Sequence, residues 1–315
     1  MGWKKDEFYT NSIRNSPFIG EKSKEGYLAR LKSLQELFDK RLDKIIKDPQ
    51  TYGEKIKEHY QNENTQKTVF TAILAAIKYT DMKATHRDLF NLWYKFYLKI
   101  RNSIERKVIN NIPTERQIEA HVDWEDIIKK RDAMAKGTKQ HILMSLITYI
   151  PPRRQLDWYN IKVYTKPNFK PTADHNYINL GWEKPYILLT DYKTAKFYGR
   201  WYKALTDPLL SILMQSLKKE PREYLFLDKY GKPYSKLCVF TEWTNAVIKR
   251  TCGNDKTTMN SLRHSFVSYL RRTCPNMTLA ERAQISKDLG HSVYKMLGYD
   301  VRIEDYEEES VLSEG

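Results

Sequence analysis

Cysteine is scarce: 315 residues hold three, Cys238, Cys252 and Cys274, with no Cys-x-x-Cys pair among them. That excludes a disulfide framework and a thiolate zinc site. No run of apolar residues is long enough to span a membrane. Residues 1–20 are polar and hold no apolar signal segment, so an intracellular, reducing compartment is expected. The chain has no internal repeat and no low-complexity tract. It also lacks the clustered carboxylates that a two-metal nuclease needs.

What is present in excess is positive charge. Lys and Arg number 54 against 39 Asp and Glu, a net charge of +15. The excess runs along most of the chain and reverses only near the end, at Glu304, Asp305, Glu307, Glu308, Glu309 and Glu314. A basic body suits a polyanionic partner, because each phosphate contact releases counterions. Hydrophobic content of 41% and aromatic content of 13% fit an ordered protein, long enough for two compact domains.

Apolar residues from Tyr27 to Ile46 recur at helical spacing, predicting one helix over about 23–47 that Pro49 closes. Two further helices are expected over about 65–79 and from about 85 onward, the latter with a core stripe of Trp93, Phe96 and Tyr97. The pattern breaks at Asn110-Asn111-Ile112-Pro113, which reads as a linker. Beyond it, helices are expected over 124–130, 137–150, 208–218, 236–249, 259–272 and 279–289. Between them, Tyr177-Ile-Asn-Leu and Tyr186-Ile-Leu-Leu are short β-prone runs that predict a small antiparallel sheet. The fold class is therefore mainly α with a small antiparallel β-sheet, an α+β chain with a helical module first. The boundaries are an N-terminal extension (1–20), a helical domain (21–110), a second domain (111–303) and an acidic tail (304–315).

Four segments carry chemistry. Pro151-Pro152-Arg153-Arg154 follows a helix stop, and Asp157 lies three residues past Arg154, placed to orient a guanidinium that grips a phosphate. Asp191-Tyr192-Lys193-Thr194-Ala195-Lys196 puts two lysines at a hairpin tip. Asn260-Ser-Leu-Arg263-His264 opens a helix, where an arginine beside the backbone N–H groups makes an anion pocket. Leu289-Gly290-His291-Ser292 ends another helix at a glycine, and Tyr299 comes eight residues after the histidine.

In this order the segments resemble the signature of the tyrosine recombinase (integrase) family: Arg, hairpin Lys, His-x-x-Arg-His, Leu-Gly-His-Ser, Tyr. The resemblance covers roughly 110–305, and the preceding helical module matches the family's core-binding domain in position and size. The Pro-Pro-Arg-Arg and Tyr-Lys-Thr-Ala-Lys wording is most similar to integrases of double-stranded DNA viruses and virophages of protists. The resemblance implies a DNA strand transferase that works through a 3′-phosphotyrosyl intermediate, with neither cofactor nor metal. Its catalytic residues would be Arg154, Lys193, Asn260, Arg263, His291 and Tyr299, with Asp157 supporting Arg154. Arg153, Lys196 and His264 would contact DNA, and Lys196 would stand in for Lys193 if needed. Partners would be double-stranded DNA and, on it, a homotetramer of this chain (monomer or dimer when free), with no membrane. The site of action would be the host nucleus, the cytoplasm or a viral factory.

Two departures from the family pattern stand out. Asn260 replaces the usual first histidine, and a carboxamide cannot exchange protons near neutral pH. Tyr299 lies one residue earlier than the family's usual position, with Tyr294 and Tyr306 as the other candidates. The same chemistry would also serve a type IB topoisomerase or a telomere resolvase, and a catalytically decayed relative would only bind DNA.

Overall fold

The computed structural model describes residues 7–80, 87–172 and 174–300. Among these no helix is long and apolar enough to cross a membrane. The chain divides into two compact units, Met1–Asn110 and Asn111–Gly315.

The first unit is helical: α1 (Glu7–Arg14), α2 (Glu21–Phe38), α3 (Leu42–Lys47), α4 (Pro49–His59), α5 (Glu63–Lys78) and α6 (Arg87–Ile109). Its core joins Leu31, Leu34, Ile45, Ile56, Phe70, Ile73 and Trp93, and the Trp93 indole donates to the Ile46 carbonyl at 2.8 Å. The stripe expected in the third helix is therefore core, as its spacing implies. Two expectations change. The single helix over about 23–47 is broken at Asp39, whose left-handed backbone (φ 45°) ends α2. Pro49 does not close a helix but opens α4, where a missing N–H costs nothing, and the Asp48 carboxylate accepts from the Thr51 N–H. Within the stretch expected as an N-terminal extension, α1 buries Tyr9 and Ile13 in this core. Gly53 lets α4 lie against the Phe96 ring, which a Cβ would strike.

The second unit begins with α7 (Glu115–Glu119), α8 (Trp124–Asp132), α9 (Lys139–Tyr149) and α10 (Gln155–Trp158). A sheet follows: β1 (Lys162–Tyr164), β2 (Tyr177–Asn179), β3 (Tyr186–Leu189), a short α11 (Ala195–Tyr198) and β4 (Trp201–Ala204). Then come α12 (Leu209–Lys219), α13 (Leu237–Cys252), α14 (Met259–Thr273), α15 (Leu279–Leu289) and α16 (Val293–Leu297). The α+β class stands, but the sheet is mixed and not purely antiparallel. Its order is β1-β2-β3-β4, and β1 pairs parallel to β2. The chain between β1 and β2 is long enough to return to the same end of the sheet, which a parallel pair requires. Val163, Ile178 and Ile187 align across three strands and face a core built on Trp124, Trp158, Trp201 and Phe240. A smaller cluster of Val267, Leu289, Met296 and Tyr299 ties α14, α15 and α16 together.

Candidate active site

The site forms where the turn after α9, the β3–β4 connection and the C-terminal end of α15 meet. Pro151 and Pro152 stop α9, since proline cannot continue a helix. Arg153 then turns inward and is fully buried. Its Nε pairs with Asp157 Oδ2 at 2.8 Å and its Nη1 donates to the Asp288 carbonyl at 2.6 Å. The guanidinium carbon lies 4.9 Å from the Tyr192 ring centre and 4.4 Å from that of Trp201. Two expectations are corrected here. Asp157 holds Arg153 and not Arg154, and Arg153 is interior, with no surface to offer DNA. Arg153 precedes the extended Arg154 that caps α10, and its buried guanidinium meets the Asp157 carboxylate four residues on. Burial pushes the Asp157 carboxyl up, against the pull of Arg153 and, more weakly, of Arg154 and Arg263.

Arg154 is half-buried, and its Nη1 donates to the Gly290 carbonyl at 3.3 Å. Arg263 is the fifth residue of α14, which a reciprocal Thr258–Ser261 capping box starts. Its Nη1 donates to the Pro152 carbonyl at 2.7 Å and its Nη2 to the Leu289 carbonyl at 2.8 Å. The carbonyls of 288, 289 and 290 thus each receive one guanidinium, from Arg153, Arg263 and Arg154 in turn. Those carbonyls end α15, where the left-handed Gly290 (φ 73°) closes the helix and the dipole is negative. Three like charges are held together because a helix end attracts each of them.

His291 follows directly. It is buried, and neither ring nitrogen has a hydrogen-bond partner among the described residues. Burial, then Arg263 and Arg154, push its pKa down to about 3, so the imidazole is neutral at pH 7. Tyr299 stacks on that ring, centroids 5.0 Å apart and planes 15° from parallel. The Arg263 guanidinium carbon is 5.2 Å from the Tyr299 ring centre, and the hydroxyl donates to Asn260 Oδ1 at 3.4 Å. Asn260 itself is exposed in the first turn of α14.

His264 also packs on Tyr299, ring centroids 4.5 Å apart, with Nδ1 3.0 Å from the Tyr299 carbonyl and Gln117 Nε2 at 3.4 Å. Burial takes its pKa down to about 4, although the Tyr299 carbonyl pulls the other way. His264, expected as a DNA contact, is half-buried and braces the tyrosine, because its place on α14 turns it toward the chain after α16. Tyr294, by contrast, is 63% exposed on α16, and Tyr306 lies outside the described residues.

Lys193 and Lys196 are exposed on the β3–β4 connection. The turn reaches the arginine cluster through Thr194, whose Oγ1 donates to the Gly290 carbonyl at 2.9 Å. Sequence reading missed Thr194, Gln117, Trp201, Asn176 and Asp288. Asp288 accepts from Trp201 Nε1 at 2.9 Å and pairs with Lys203 at 3.2 Å. Its place just before Leu-Gly-His was the available signal for it. The others are ordinary polar or core residues until the fold brings them together. Among the described residues, no group of three or more His, Cys, Asp or Glu side chains is placed to hold a metal ion.

No family model and no curated protein matches the chain. Among solved structures it is similar to XerA recombinase, at 13% identity and TM-score 0.42 over 98% of each chain. It is also similar to two variants of protelomerase TelA covalently complexed with substrate DNA. These are 12% identical, with TM-scores of 0.43 and 0.42, over 96% of this chain and 98% of those chains.

Proposed function

We propose that this chain is a site-specific recombinase or integrase, of a viral or other mobile element, that cleaves and rejoins DNA through Tyr299. The observation that carries the reading is the grouping of Arg154, Arg263, His291 and Tyr299 around the end of α15. Two guanidiniums, a neutral imidazole and a phenol at one point form a set built for a phosphodiester and its charged transition state.

In the reaction, the Tyr299 hydroxyl oxygen attacks the phosphorus and the bond to the 5′ oxygen breaks, leaving a 3′-phosphotyrosyl link. Arg154 and Arg263 hold the non-bridging oxygens with the N–H groups left over from one carbonyl contact in Arg154 and two in Arg263. His291 gives a neutral hydrogen bond to one of them. Lys193 protonates the departing 5′ oxygen. Asn260 receives the Tyr299 hydroxyl but cannot take its proton, which passes to solvent or to the lysine turn. The ester energy is stored in the tyrosyl link, so resealing needs no ATP. Duplex DNA is the partner, the helical unit 21–110 contributes to its binding, and four copies act together on two duplexes.

A nicked suicide duplex tests this. Wild type should form a covalent protein–DNA adduct, and Tyr299→Phe, which keeps the ring contacts, should form none. Absence of any adduct with wild type, on duplexes that include the ends of the resident element, rejects the reading in favour of a DNA-binding relative without catalysis.

A further inference from the structure

We infer that Asn176, at the start of β2, is the residue that positions Lys193 for catalysis; this rests on the reading of Lys193 as the general acid. Asn176 is buried, and its carboxamide makes four hydrogen bonds. Nδ2 donates to the Asp157 carbonyl at 3.2 Å and to the Asp191 carbonyl at 2.7 Å. Oδ1 accepts from the Thr190 N–H and the Asp191 N–H, both at 2.9 Å. Four is the full capacity of a carboxamide. Only one orientation of the group suits two carbonyls on one side and two N–H donors on the other.

The consequence is a mechanical link between two parts of the site. Asp157 belongs to the arginine turn through its pair with Arg153, and 190–191 begin the turn that carries Lys193. Past the lysine, Thr194 is tied to the Gly290 carbonyl, and on its near side Tyr192 lies against Arg153 with its hydroxyl on the Gly199 carbonyl. Lys193 is the exposed residue between these fixed points. Remove Asn176 and residues 190–191 lose their hydrogen-bonded link to the Asp157 turn, leaving the Tyr192–Arg153 contact as the near side's hold, while Arg154, Arg263, His291 and Tyr299 keep every contact described above.

A general acid works only within hydrogen-bond reach of the leaving oxygen, and a displacement of about 1 Å can cost on the order of 100-fold. The step needing that acid is the breaking of the P–O5′ bond, with a proton passing from the Lys193 ammonium to O5′ as the Tyr299 oxygen bonds to phosphorus. If sulfur replaces the 5′ oxygen, the group departs as a thiolate and carries off the electron pair without a proton. The sulfur substrate therefore reports every part of the site except the acid.

The experiment compares single-turnover cleavage of an ordinary duplex and one with a 5′-bridging phosphorothiolate at the scissile position. Asn176→Ala should be roughly 100-fold slower than wild type on oxygen and within about threefold of it on sulfur. Lys193→Ala should show the same pattern. Slow cleavage of both substrates by Asn176→Ala, or wild-type cleavage of the oxygen substrate, overturns the inference. Should a thermal melt show Asn176→Ala unfolded, Asn176→Asp is judged by the same two rates, since it keeps both acceptor bonds and loses both donor bonds. Failure of wild type to cleave either duplex would strike the underlying reading. Normal behaviour of wild type and Lys193→Ala, without rescue of the Asn176 variant, would strike this inference alone.

Discussion

The Arg153–Asp157 pair is the most exposed to a direct stability test, because both side chains are wholly buried, 0% and 0% accessible. Replacing Arg153 with methionine removes the 2.8 Å contact to Asp157 and the 2.6 Å bond to the Asp288 carbonyl, and leaves a fully buried carboxylate without its cation. Breaking one side of a buried ion pair costs about 3–5 kcal/mol. For a unit the size of 111–315, each kcal/mol moves the melting temperature by about 2–4 °C, so Arg153→Met should lower it by roughly 6–20 °C. The double variant Arg153→Met/Asp157→Leu removes the stranded charge, and apolar replacement of a buried pair is often neutral or better. It should recover most of the lost temperature while staying poor at strand cleavage, since the turn behind Arg154 loses its tie to the Asp288 carbonyl. Differential scanning calorimetry of wild type, single and double variants decides the matter. A single variant within about 2 °C of wild type, or a double variant no more stable than the single, refutes the assignment of a stranded buried charge.

Other outcomes follow from the same geometry. His291 and His264 are neutral in the fold, held down to about 3 and about 4 by burial, whereas an unfolded histidine titrates near pH 6.5. The unfolded chain takes up protons first on acidification, so the stability these groups contribute is whole above about pH 6.5 and is lost down to about pH 3–4. Urea midpoints at pH 7 and pH 4.5 should differ, and His291→Phe should shrink the difference. Gly290→Ala forces a side chain onto φ 73° and sets its Cβ 3.4 Å from Arg153 Nη2 and 3.5 Å from Arg154 Nη1. The backbone cost is about 1–2 kcal/mol, read as a lower melting temperature, and cleavage should slow because the carbonyl serving Arg154 and Thr194 moves. Asn260→His places a proton acceptor beside the Tyr299 hydroxyl and should raise the cleavage rate near neutral pH by roughly tenfold or more, measured as single-turnover adduct formation.

The long helices α2, α5 and α6 were legible because 3.6-residue periodicity survives wherever one face meets a core. The start of α4 was not, because proline signals a stop in the interior and a start at the first turn, and only the Asp48 cap distinguishes the two. Strand β1 was hidden for a different reason: it spans Lys162–Tyr164 and pairs parallel to a partner reached through an irregular loop. In the candidate site, Arg263, His291 and Tyr299 were singled out by the order of their segments, which resembles a family signature, since each local run alone is ordinary. Arg153 and Arg154 could not be told apart by sequence. What separates them is the Asp288 carbonyl, 135 residues onward, which pulls the first arginine inside. Asn176 gave no signal at all, since its four partners come from two turns that meet only in the folded chain.

The most direct measurement is the identity of the amino acid that carries the DNA. Digestion of a trapped adduct and mass spectrometry of the nucleotide-bearing peptide should place the phosphoester on Tyr299. A phosphoester on Tyr294 or Tyr306, or on a serine, would contradict the account, because the ring packed on His291 and Arg263 would then not be the nucleophile.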